Sequence, residues 1–429
     1  MSTMFGISSR ASSSIQAQTR WSERPDILRH LVADLFIEHR RWRALAPGTP
    51  RLGREIDFGA PLGEEGLGLD SLERLSLAAR ISEFFHLHET GAQDHLFDCI
   101  SLEDVVRVIA FAARQGVDRI SVRSSGSTGP AKIISHSLHE IAIEADFWLT
   151  LVPGRQRVVT FVPTAHLYGF MFAAMLAGAR GWPVLRAEEL GVPQTIRALT
   201  PGDLVIASPR LLARMVREGL PLPPDVLVIS SGQALPPETV AAVRERGAER
   251  LIDSYGASEI GGIGWREDVR EPFHLLPFLF PVAGQDDAGG PDAVQKRPGR
   301  GTLLELRKGN RRRLVRLEDH IQWIDERRFV LGGRVQPLVA AKEGELDLER
   351  VRAVLCSHTE VADAAVTMDR LANRLKAFVV PKAAVYDPER LARRLRRDLK
   401  PLLHPFEMPH DVRFGPEIPR DPLGKLIDW

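Results

Sequence analysis

Four hydroxyl side chains, two glycines and a lysine fall within one short run: Ser124-Ser125-Gly126-Ser127-Thr128-Gly129-Pro130-Ala131-Lys132. Glycine lets the backbone turn tightly and approach a ligand closely. Hydroxyl groups and backbone N–H groups together make a donor surface for phosphate oxygens. A P-loop has four residues between its glycines and then Gly-Lys at once, whereas only Ser127 and Thr128 separate the glycines here. The run therefore predicts a phosphate site that is not a P-loop, with a Ser/Gly-rich surface loop as the alternative.

Further polar motifs follow in a fixed order, several of them directly after strand-like runs. They are Pro163–Phe170 with His166, Ser231–Pro236 with Gly232, Ser254–Glu259 with Tyr255 and Gly256, Glu318-Asp319, Gly333-Arg334, and Gly424-Lys425. In this order the set resembles the adenylate-forming enzyme superfamily, which includes acyl-CoA synthetases, luciferases and the adenylation domains of peptide synthetases. The resemblance covers the chain from about Ile120 to its last residue.

Two motifs depart from the family pattern. The family usually has proline directly before the loop lysine, whereas Pro130 stands one residue earlier, and the family's Thr-Gly-Asp segment is reduced to Leu317-Glu318-Asp319. The second departure weakens the support for a role of Asp319.

The resemblance implies a site for ATP and Mg²⁺. The implied nucleotide-binding residues are Ser124, Ser125, Gly126, Ser127, Thr128, Gly129, Lys132, Gly232, Tyr255, Gly256, Asp319 and Arg334. The first seven would cradle the triphosphate. Tyr255 and Gly256 would line the adenine, and Asp319 would accept hydrogen bonds from the ribose hydroxyls. Arg334 would contact Asp319 or a phosphate.

A carboxylate has a poor leaving group, and joining it to AMP supplies a good one. That reaction needs a metal ion on the phosphates and a cation where the carboxylate meets the α-phosphate. The catalytic residues that the resemblance implies are Lys425, Glu259, Thr128 and His166. Glu259 and Thr128 would hold Mg²⁺, Lys425 would act as a point charge, and His166 would border the acyl pocket. The alternatives are a surface acid at Glu259, a frayed terminal lysine at Lys425 and a core histidine at His166.

The composition is that of an ordinary globular protein, with 429 residues of which 44% are hydrophobic and 26% charged. The net charge of +1 argues against broad electrostatic binding to nucleic acid or to an anionic membrane. No apolar run approaches the roughly 20 residues that span a bilayer. The two cysteines are too few for a disulfide framework. This low cysteine content is consistent with a reducing cytoplasm, so we expect a cytoplasmic location. Residues 1–20 are rich in serine and read as a disordered start rather than a signal peptide.

Helical patterns at 25–42, 72–85 and 102–113 precede the phosphate-loop sequence. The segment Leu67-Gly68-Leu69-Asp70-Ser71-Leu72 opens the second helix and resembles an acyl carrier protein. That resemblance implies 4'-phosphopantetheine on Ser71, attached by a phosphopantetheinyl transferase. The alternatives are that Asp70 or Ser71 is simply a helix N-cap, and that the segment has a carrier-like fold without the arm.

The order of elements predicts an α/β adenylate-forming core with a small α+β C-terminal domain, preceded by an all-α carrier-like helical bundle. Beyond Gln115-Gly116, strands and helices alternate, starting with a strand at 119–123 and with 132–151 as the next single element. This alternation indicates βα units and a largely parallel sheet. Short antiparallel strands are expected at 303–306, 313–317, 321–324 and 328–331, and 285–300 is expected to be a mobile loop. A further strand is expected near 411–414. The expected divisions are 1–20, 21–115, 116–332, and a mobile 333–429 that carries Lys425.

The sequence thus predicts an ATP-dependent ligase that adenylates an aryl or fatty acid and passes the acyl group to a phosphopantetheine thiol. The thiol would belong to Ser71, to a separate carrier protein or to CoA; the carrier-like segment favours a carrier and suggests natural-product or lipid biosynthesis. Family members have a longer fold before the phosphate loop, so either this is a compact variant, or a partner protein or second copy completes the site. The alternative function is a non-catalytic carrier-like scaffold or a nucleotide-binding pseudo-ligase.

Overall fold

The computed structural model describes residues 21–44, 56–123, 132–282, 302–317, 319–334, 339–341, 344–346, 348–369, 374–383, 387–403, 405, 407–420, 426–427 and 429. Its α-helices are α1 (Pro25–Ala44), α2 (Ser71–Phe85), α3 (Leu102–Arg114), α4 (Leu138–Leu151), α5 (Leu167–Gly169), α6 (Ala177–Arg180), α7 (Ala187–Leu190), α8 (Val192–Arg197), α9 (Pro209–Arg217), α10 (Pro237–Glu245), α11 (Leu348–Cys356) and α12 (Pro388–Leu399). Shorter helical segments of other types are Leu87–Glu89, Ala92–Asp98 and Phe170–Leu176. Within these described residues, no helix is long and apolar enough to cross a membrane.

The strands of the described chain fall into five sheets. They are β1 (Arg119–Arg123), β2 (Ile133–Ser137), β3 (Arg157–Thr160), β4 (Val184–Arg186), β5 (Asp203–Ala207), β6 (Val226–Ser231), β7 (Ala248–Ala257), β8 (Gly261–Arg266), β9 (Phe273–Leu275), β10 (Leu279–Pro281), β11 (Leu303–Lys308), β12 (Arg311–Arg316), β13 (Asp319–Trp323), β14 (Arg328–Arg334), β15 (Val339–Ala341), β16 (Gly344–Leu346), β17 (Val361–Asp369), β18 (Arg374–Pro381) and β19 (Asp411–Phe414).

The main sheet has nine strands in the order β13-β14-β9-β8-β7-β6-β5-β3-β4. Strands β4, β3, β5, β6 and β7 run parallel, and β8, β9, β14 and β13 continue the sheet antiparallel. Every residue of β5 and β6 is buried, as expected for central strands of a parallel sheet covered on both faces. The predicted parallel sheet and the antiparallel strands after residue 300 are therefore confirmed.

Strand β1 does not belong to this sheet, which corrects the prediction that it starts the βα alternation. It pairs antiparallel with β2 in a separate two-stranded sheet, with Ser121 opposite Ser135. The run 132–151, expected to be one element, divides into β2 and α4. An alternating apolar run fits either sheet equally well, because alternation reports one buried face and not the partner strand.

The N-terminal helices share their core with the main sheet. Trp21 stacks on Phe85 with ring centroids 6.3 Å apart and meets the edge of Phe170 at 5.2 Å. Phe84 meets the same Phe170 ring at 6.2 Å. The buried cluster that holds these rings also includes Leu204 of β5, so one continuous core joins the helices to the sheet.

This shared core gives no support to the expected all-α carrier-like bundle over residues 21–115 as a separate unit. The helix bounds agree with the predicted patterns, and each helix has the expected apolar stripe. The stripes bury against the helical segment Phe170–Leu176 and the sheet rather than only against one another. A stripe shows that a helix face is buried but does not identify what covers it.

A buried ion pair fastens α1 to the main sheet. Asp34 on α1 contacts the guanidinium of Arg186 at the end of β4, and both side chains are at most 4% exposed. The second carboxylate oxygen of Asp34 accepts hydrogen bonds from the backbone N–H of Thr164 at 2.5 Å and from its hydroxyl at 2.6 Å. One carboxylate thus links a helix, a strand end and the loop that leads to His166.

The C-terminal unit has a core of its own. Strands β17, β18 and β19 form a three-stranded sheet, and α11 and α12 contribute to its buried cluster. The predicted α+β order is confirmed, although β14 runs across the expected boundary after residue 332. Near the end of the chain, Arg420 and Leu426 form an isolated β-bridge, and the ammonium of Lys376 donates to the main-chain oxygen of Trp429 at 2.9 Å.

Asp34→Asn should destabilise the protein by about 3–5 kcal/mol, because it leaves the Arg186 charge buried without its counterion. Chemical denaturation followed by circular dichroism measures the change. The matched control is Glu218→Gln, which breaks an ion pair with Arg214 whose side chains are 36% and 48% exposed. It should cost less than about 1 kcal/mol. Equal losses for the two variants would contradict the role assigned to Asp34.

Candidate active site

The candidate site begins where the central parallel strands end. Strand β6 ends at Ser231, whose hydroxyl donates to the carbonyl of Ser254 on β7 at 2.7 Å. Gly232 follows with φ of 98°, a left-handed conformation that side chains rarely adopt. Ligands of open parallel sheets bind beyond the carboxyl ends of the strands. Two of the predicted motifs therefore begin at the edge where a ligand is expected.

Tyr255 and Asp319, which the sequence assigned to adenine and ribose, are brought together. The Tyr255 hydroxyl donates to Asp319 Oδ2 at 2.5 Å, although 64 residues separate them in the chain. The Tyr255 ring packs near Phe273 and Phe329, with centroids 5.7 and 6.0 Å away. Asp319 also lies opposite Arg334 in the β13–β14 register. The aromatic ring of Tyr255 and the carboxylate of Asp319 therefore lie side by side.

Glu259 lies exposed in the turn between β7 and β8. The turn is held from one side by His136 on β2, whose Nε2–H donates to the carbonyl of Ser258 at 2.7 Å. Directly after the turn, the N–H of Gly262 donates to Glu144 Oε1 at 2.9 Å. The exposed carboxylate of Glu259 is therefore carried by a turn whose backbone is fixed at both ends.

Glu144 can hold the turn because its charge is neutralised inside the protein. Its other oxygen pairs with the ammonium of Lys308 at 2.7 Å, and both side chains are at most 4% exposed. A Cβ at Gly261 would lie 2.7 Å from Glu144 Oε2, and one at Gly262 would lie 2.5 Å from Oε1. Both positions must therefore be glycine for this carboxylate to reach the backbone.

The loop before α5 carries His166, which is half-buried. The next aromatic residue, Tyr168, donates its hydroxyl to the carbonyl of Ile229 on β6 at 2.8 Å. Burial raises the pKa of Tyr168 well above its usual value, so the phenol keeps the proton that it donates. Tyr168 thereby ties the loop that carries His166 to a central strand of the main sheet.

Several predicted residues lie outside the described part of the chain. They are Ser124, Ser125, Gly126, Ser127, Thr128, Gly129, the loop 285–300 and Lys425. Lys132 is described and exposed, and Gly256 is exposed on β7 beside Tyr255. Ser71 is exposed at the first position of α2. Asp70 is the N-cap of that helix and forms a capping box with Glu73. This is the role that the capping alternative predicted for Asp70.

Sequence reasoning missed the residues that support these motifs. Asp34, His136 and Glu144 all contact the motifs from a distance of more than a hundred residues in the chain. The only local signals were acids on the apolar faces of predicted helices and the paired glycines after Glu259.

Two family models and several curated proteins match this chain. Residues 124–281 match the AMP-binding enzyme family and residues 351–425 match the AMP-binding enzyme C-terminal domain. The 4-coumarate–CoA ligase of Halorhodospira halophila is 31% identical over 404 residues, covering 93% of this chain and 97% of that protein. The corresponding enzyme of Rhodobacter capsulatus is 32% identical over 420 residues, covering 94% of this chain and 100% of that protein.

Among solved structures, an O-succinylbenzoate–CoA synthetase from Bacillus subtilis, in complex with ATP and magnesium ion, overlaps with a TM-score of 0.49 and 17% identity over 71% of this chain and 68% of that chain.

The chain belongs to the AMP-binding enzyme family. It is an AMP-forming acid–thiol ligase.

The stability of the protein should depend on the titration of His136. Burial lowers the pKa of this imidazole, and the nearby Lys308 charge acts in the same direction. In the unfolded chain, His136 therefore takes up a proton near pH 6.5, whereas in the folded chain it stays neutral to lower pH. Stability should fall as the pH decreases below about 6.5, by up to about 1.4 kcal/mol per pH unit.

Urea denaturation of wild type and His136→Gln between about pH 7.5 and about pH 5.5 tests this dependence. The glutamine amide can still donate to Ser258 but does not titrate, so the variant should lose less stability over this interval. The same loss in both proteins would show that His136 is not the group responsible.

Proposed function

We propose that this chain activates an aromatic carboxylic acid with ATP and Mg²⁺ and transfers the acyl group to CoA. A carboxylate oxygen attacks the α-phosphorus and pyrophosphate leaves; the CoA sulfur then attacks the acyl carbon, loses its proton, and AMP leaves. The observation that carries the proposal is the hydrogen bond between Tyr255 and Asp319, together with the nearby turn that carries Glu259 and is held by Glu144. The near end-to-end similarity to two 4-coumarate–CoA ligases supports the choice of acid and thiol.

The nucleotide would lie against Tyr255 and Gly256, with its ribose on Asp319. A carboxylate accepts two hydrogen bonds from vicinal hydroxyls without rearrangement, since it offers two acceptor oxygens. The Tyr255 hydroxyl occupies one lone pair of Oδ2, which fixes the orientation of the carboxylate before the ligand binds. Gly232 and Arg334 are proposed to complete this part of the site.

Mg²⁺ would be held by Glu259, with Thr128 as a second ligand. Hard cations prefer oxygen ligands, and the exposed carboxylate on its fixed turn offers one. When bound, the ion neutralises charge on the phosphates during transfer. Ser124–Gly129 and Lys132 are proposed to receive the triphosphate, and the family match begins at Ser124.

The acid would be bound near His166 and Tyr168. The two relatives that align over nearly the whole chain are named for 4-coumarate, an aryl acid. This similarity supports an aryl acid over a fatty acid.

Lys425 is proposed to supply the cation at the reacting carboxylate and α-phosphate. It is the last residue matched by the C-terminal family domain. Pyrophosphate release should be fastest with 4-coumarate among a panel of 4-coumarate, benzoate, octanoate and an amino acid, and formation of the thioester should require CoA. Lys425→Ala should lower the rate about 10²–10³-fold, because it removes charge stabilisation from the transition state.

A panel in which octanoate exceeds every aryl acid would overturn the proposed substrate class. An unchanged rate in Lys425→Ala would overturn the role of this lysine. Lys400→Ala serves as the matched control, since it removes an exposed lysine at the end of α12, and it should leave the rate unchanged.

A carrier arm on Ser71 remains a second candidate for the acceptor, favoured by the exposure of Ser71 at the start of α2. Two relatives named CoA ligases align with 93% and 94% of this chain, so most of residues 21–115 lies within those alignments. This extent supports CoA as the acceptor, and it supports a compact fold that needs no partner protein to complete it.

Incubation with CoA and a broad-specificity phosphopantetheinyl transferase separates the two acceptors. If CoA is the acceptor, the intact mass of the protein should not change, while thioester formation with free CoA proceeds. A gain of one phosphopantetheine mass that is absent in Ser71→Ala would instead establish the carrier. A known carrier protein in the same reaction mixture confirms that the transferase is active.

A further inference from the structure

Three metal-ligand side chains converge just after α2: His86, His88 and Glu89. One ligand atom from each lies within 4.8 Å of the other two. Glu89 Oε1 is 3.2 Å from His86 Nδ1 and 3.8 Å from His88 Nε2. Ligand atoms of a tetrahedral zinc ion with bonds of about 2.0–2.1 Å lie about 3.3 Å apart. The two separations from Glu89 are therefore close to those of a coordination shell, and the two histidine nitrogens lie within 4.8 Å of each other.

The backbone presents these side chains outward from a fixed turn. His86 ends α2 in the left-handed region, with φ of 53° and ψ of 38°, which is uncommon for a residue other than glycine. Leu87 follows with no exposed surface, and its burial holds the turn in place. His88 and Glu89 keep 52% and 38% of their side chains exposed, so an ion can enter from solvent.

His86 is oriented by a partner behind it. Its Nε2 lies 2.8 Å from the hydroxyl of Ser121 on β1, and the hydroxyl of Ser135 on β2 lies 3.4 Å away. A metal-binding histidine commonly donates its other N–H to such a group, which fixes the ring and the tautomer. In that tautomer the Nδ1 lone pair faces the Glu89 oxygen, and a cation between them removes the repulsion of two acceptors.

The charges around the cluster leave one carboxylate oxygen available. Arg119 approaches Glu89 Oε2 at 3.5 Å, but its guanidinium is also paired with Asp118 at 2.9 Å. The oxygen that faces both histidines is Oε1.

We propose that His86, His88 and Glu89 bind a divalent transition metal ion such as Zn²⁺, with solvent completing its coordination. Two imidazole nitrogens and one carboxylate suit zinc, whereas Mg²⁺ prefers oxygen ligands alone. The proposal does not depend on the nucleotide site. Through His86 and Ser121, the ion would tie the end of α2 to the two strands that flank the sequence Ser124–Ala131.

Titration of untagged full-length protein with zinc chloride, in competition with a chromophoric chelator and without ATP, tests the site. One Zn²⁺ per chain is expected, and Glu89→Gln and His88→Ala should each weaken its binding at least about tenfold. The matched control is His95→Ala, which removes an exposed histidine from the neighbouring segment Ala92–Asp98. This control should bind zinc as the wild type does.

Two results would overturn the proposal. The first is zinc affinity in His88→Ala and Glu89→Gln equal to that of the wild type. The second is a thiolate charge-transfer band in the Co²⁺-substituted protein, which would assign the ion to Cys99 or Cys356. The expected Co²⁺ spectrum has d–d bands only, since nitrogen and oxygen ligands supply no thiolate transition. Retention of ATP-dependent activity in His88→Ala and Glu89→Gln shows that both variants are folded.

Discussion

The carboxylate of Asp34 is the contact on which the arrangement of the first half of the chain depends. It neutralises a buried arginine at the end of β4 and accepts two hydrogen bonds from Thr164. A buried charge is tolerated only when it is paired and its hydrogen-bonding capacity is filled. The carboxylate of Asp34 therefore keeps its ion pair and both hydrogen bonds in only one relative position of α1, β4 and the loop that carries His166.

A second buried acid plays the equivalent part at the other side of the site. Glu144 is paired with Lys308 and accepts from Gly262, so α4 and β11 together fix the turn that displays Glu259. In both places a buried ion pair supports a loop that carries a candidate-site residue, the half-buried His166 in one and the exposed Glu259 in the other. The two ion pairs are shielded from water and from salt, because their side chains are at most 4% exposed.

Much of this fold could be predicted from local patterns. The strand at 411–414 and the helices α1, α2 and α3 were expected within a few residues of their observed bounds, because apolar periodicity and end signals are local. The strand that pairs with β1 and the residues that pack against α2 could not be predicted. The pairing of Ser121 with Ser135 and the packing of Phe84 against Phe170 are tertiary contacts, which the spacing of residues along the chain does not specify. The motifs of the candidate site could be picked out for a different reason: a family resemblance rests on residue types and their order, which the sequence shows directly. Asp34 and Glu144 were not visible, because their partners lie 152 and 164 residues away.

The shared core of the helical segment and the main sheet has a calorimetric consequence. Residues from Trp21 to Phe329 belong to a single buried cluster, so neither the helices nor the sheet can open without exposing the other's apolar surface, and both should absorb heat in one transition. The C-terminal sheet is held by a separate cluster, whose buried members lie between Val351 and Leu403 and against which Leu348, Met408, Val412 and Phe414 pack. Its unfolding need not coincide with that of the larger unit, and the heat-capacity trace of the intact protein should then resolve into two peaks of very unequal area.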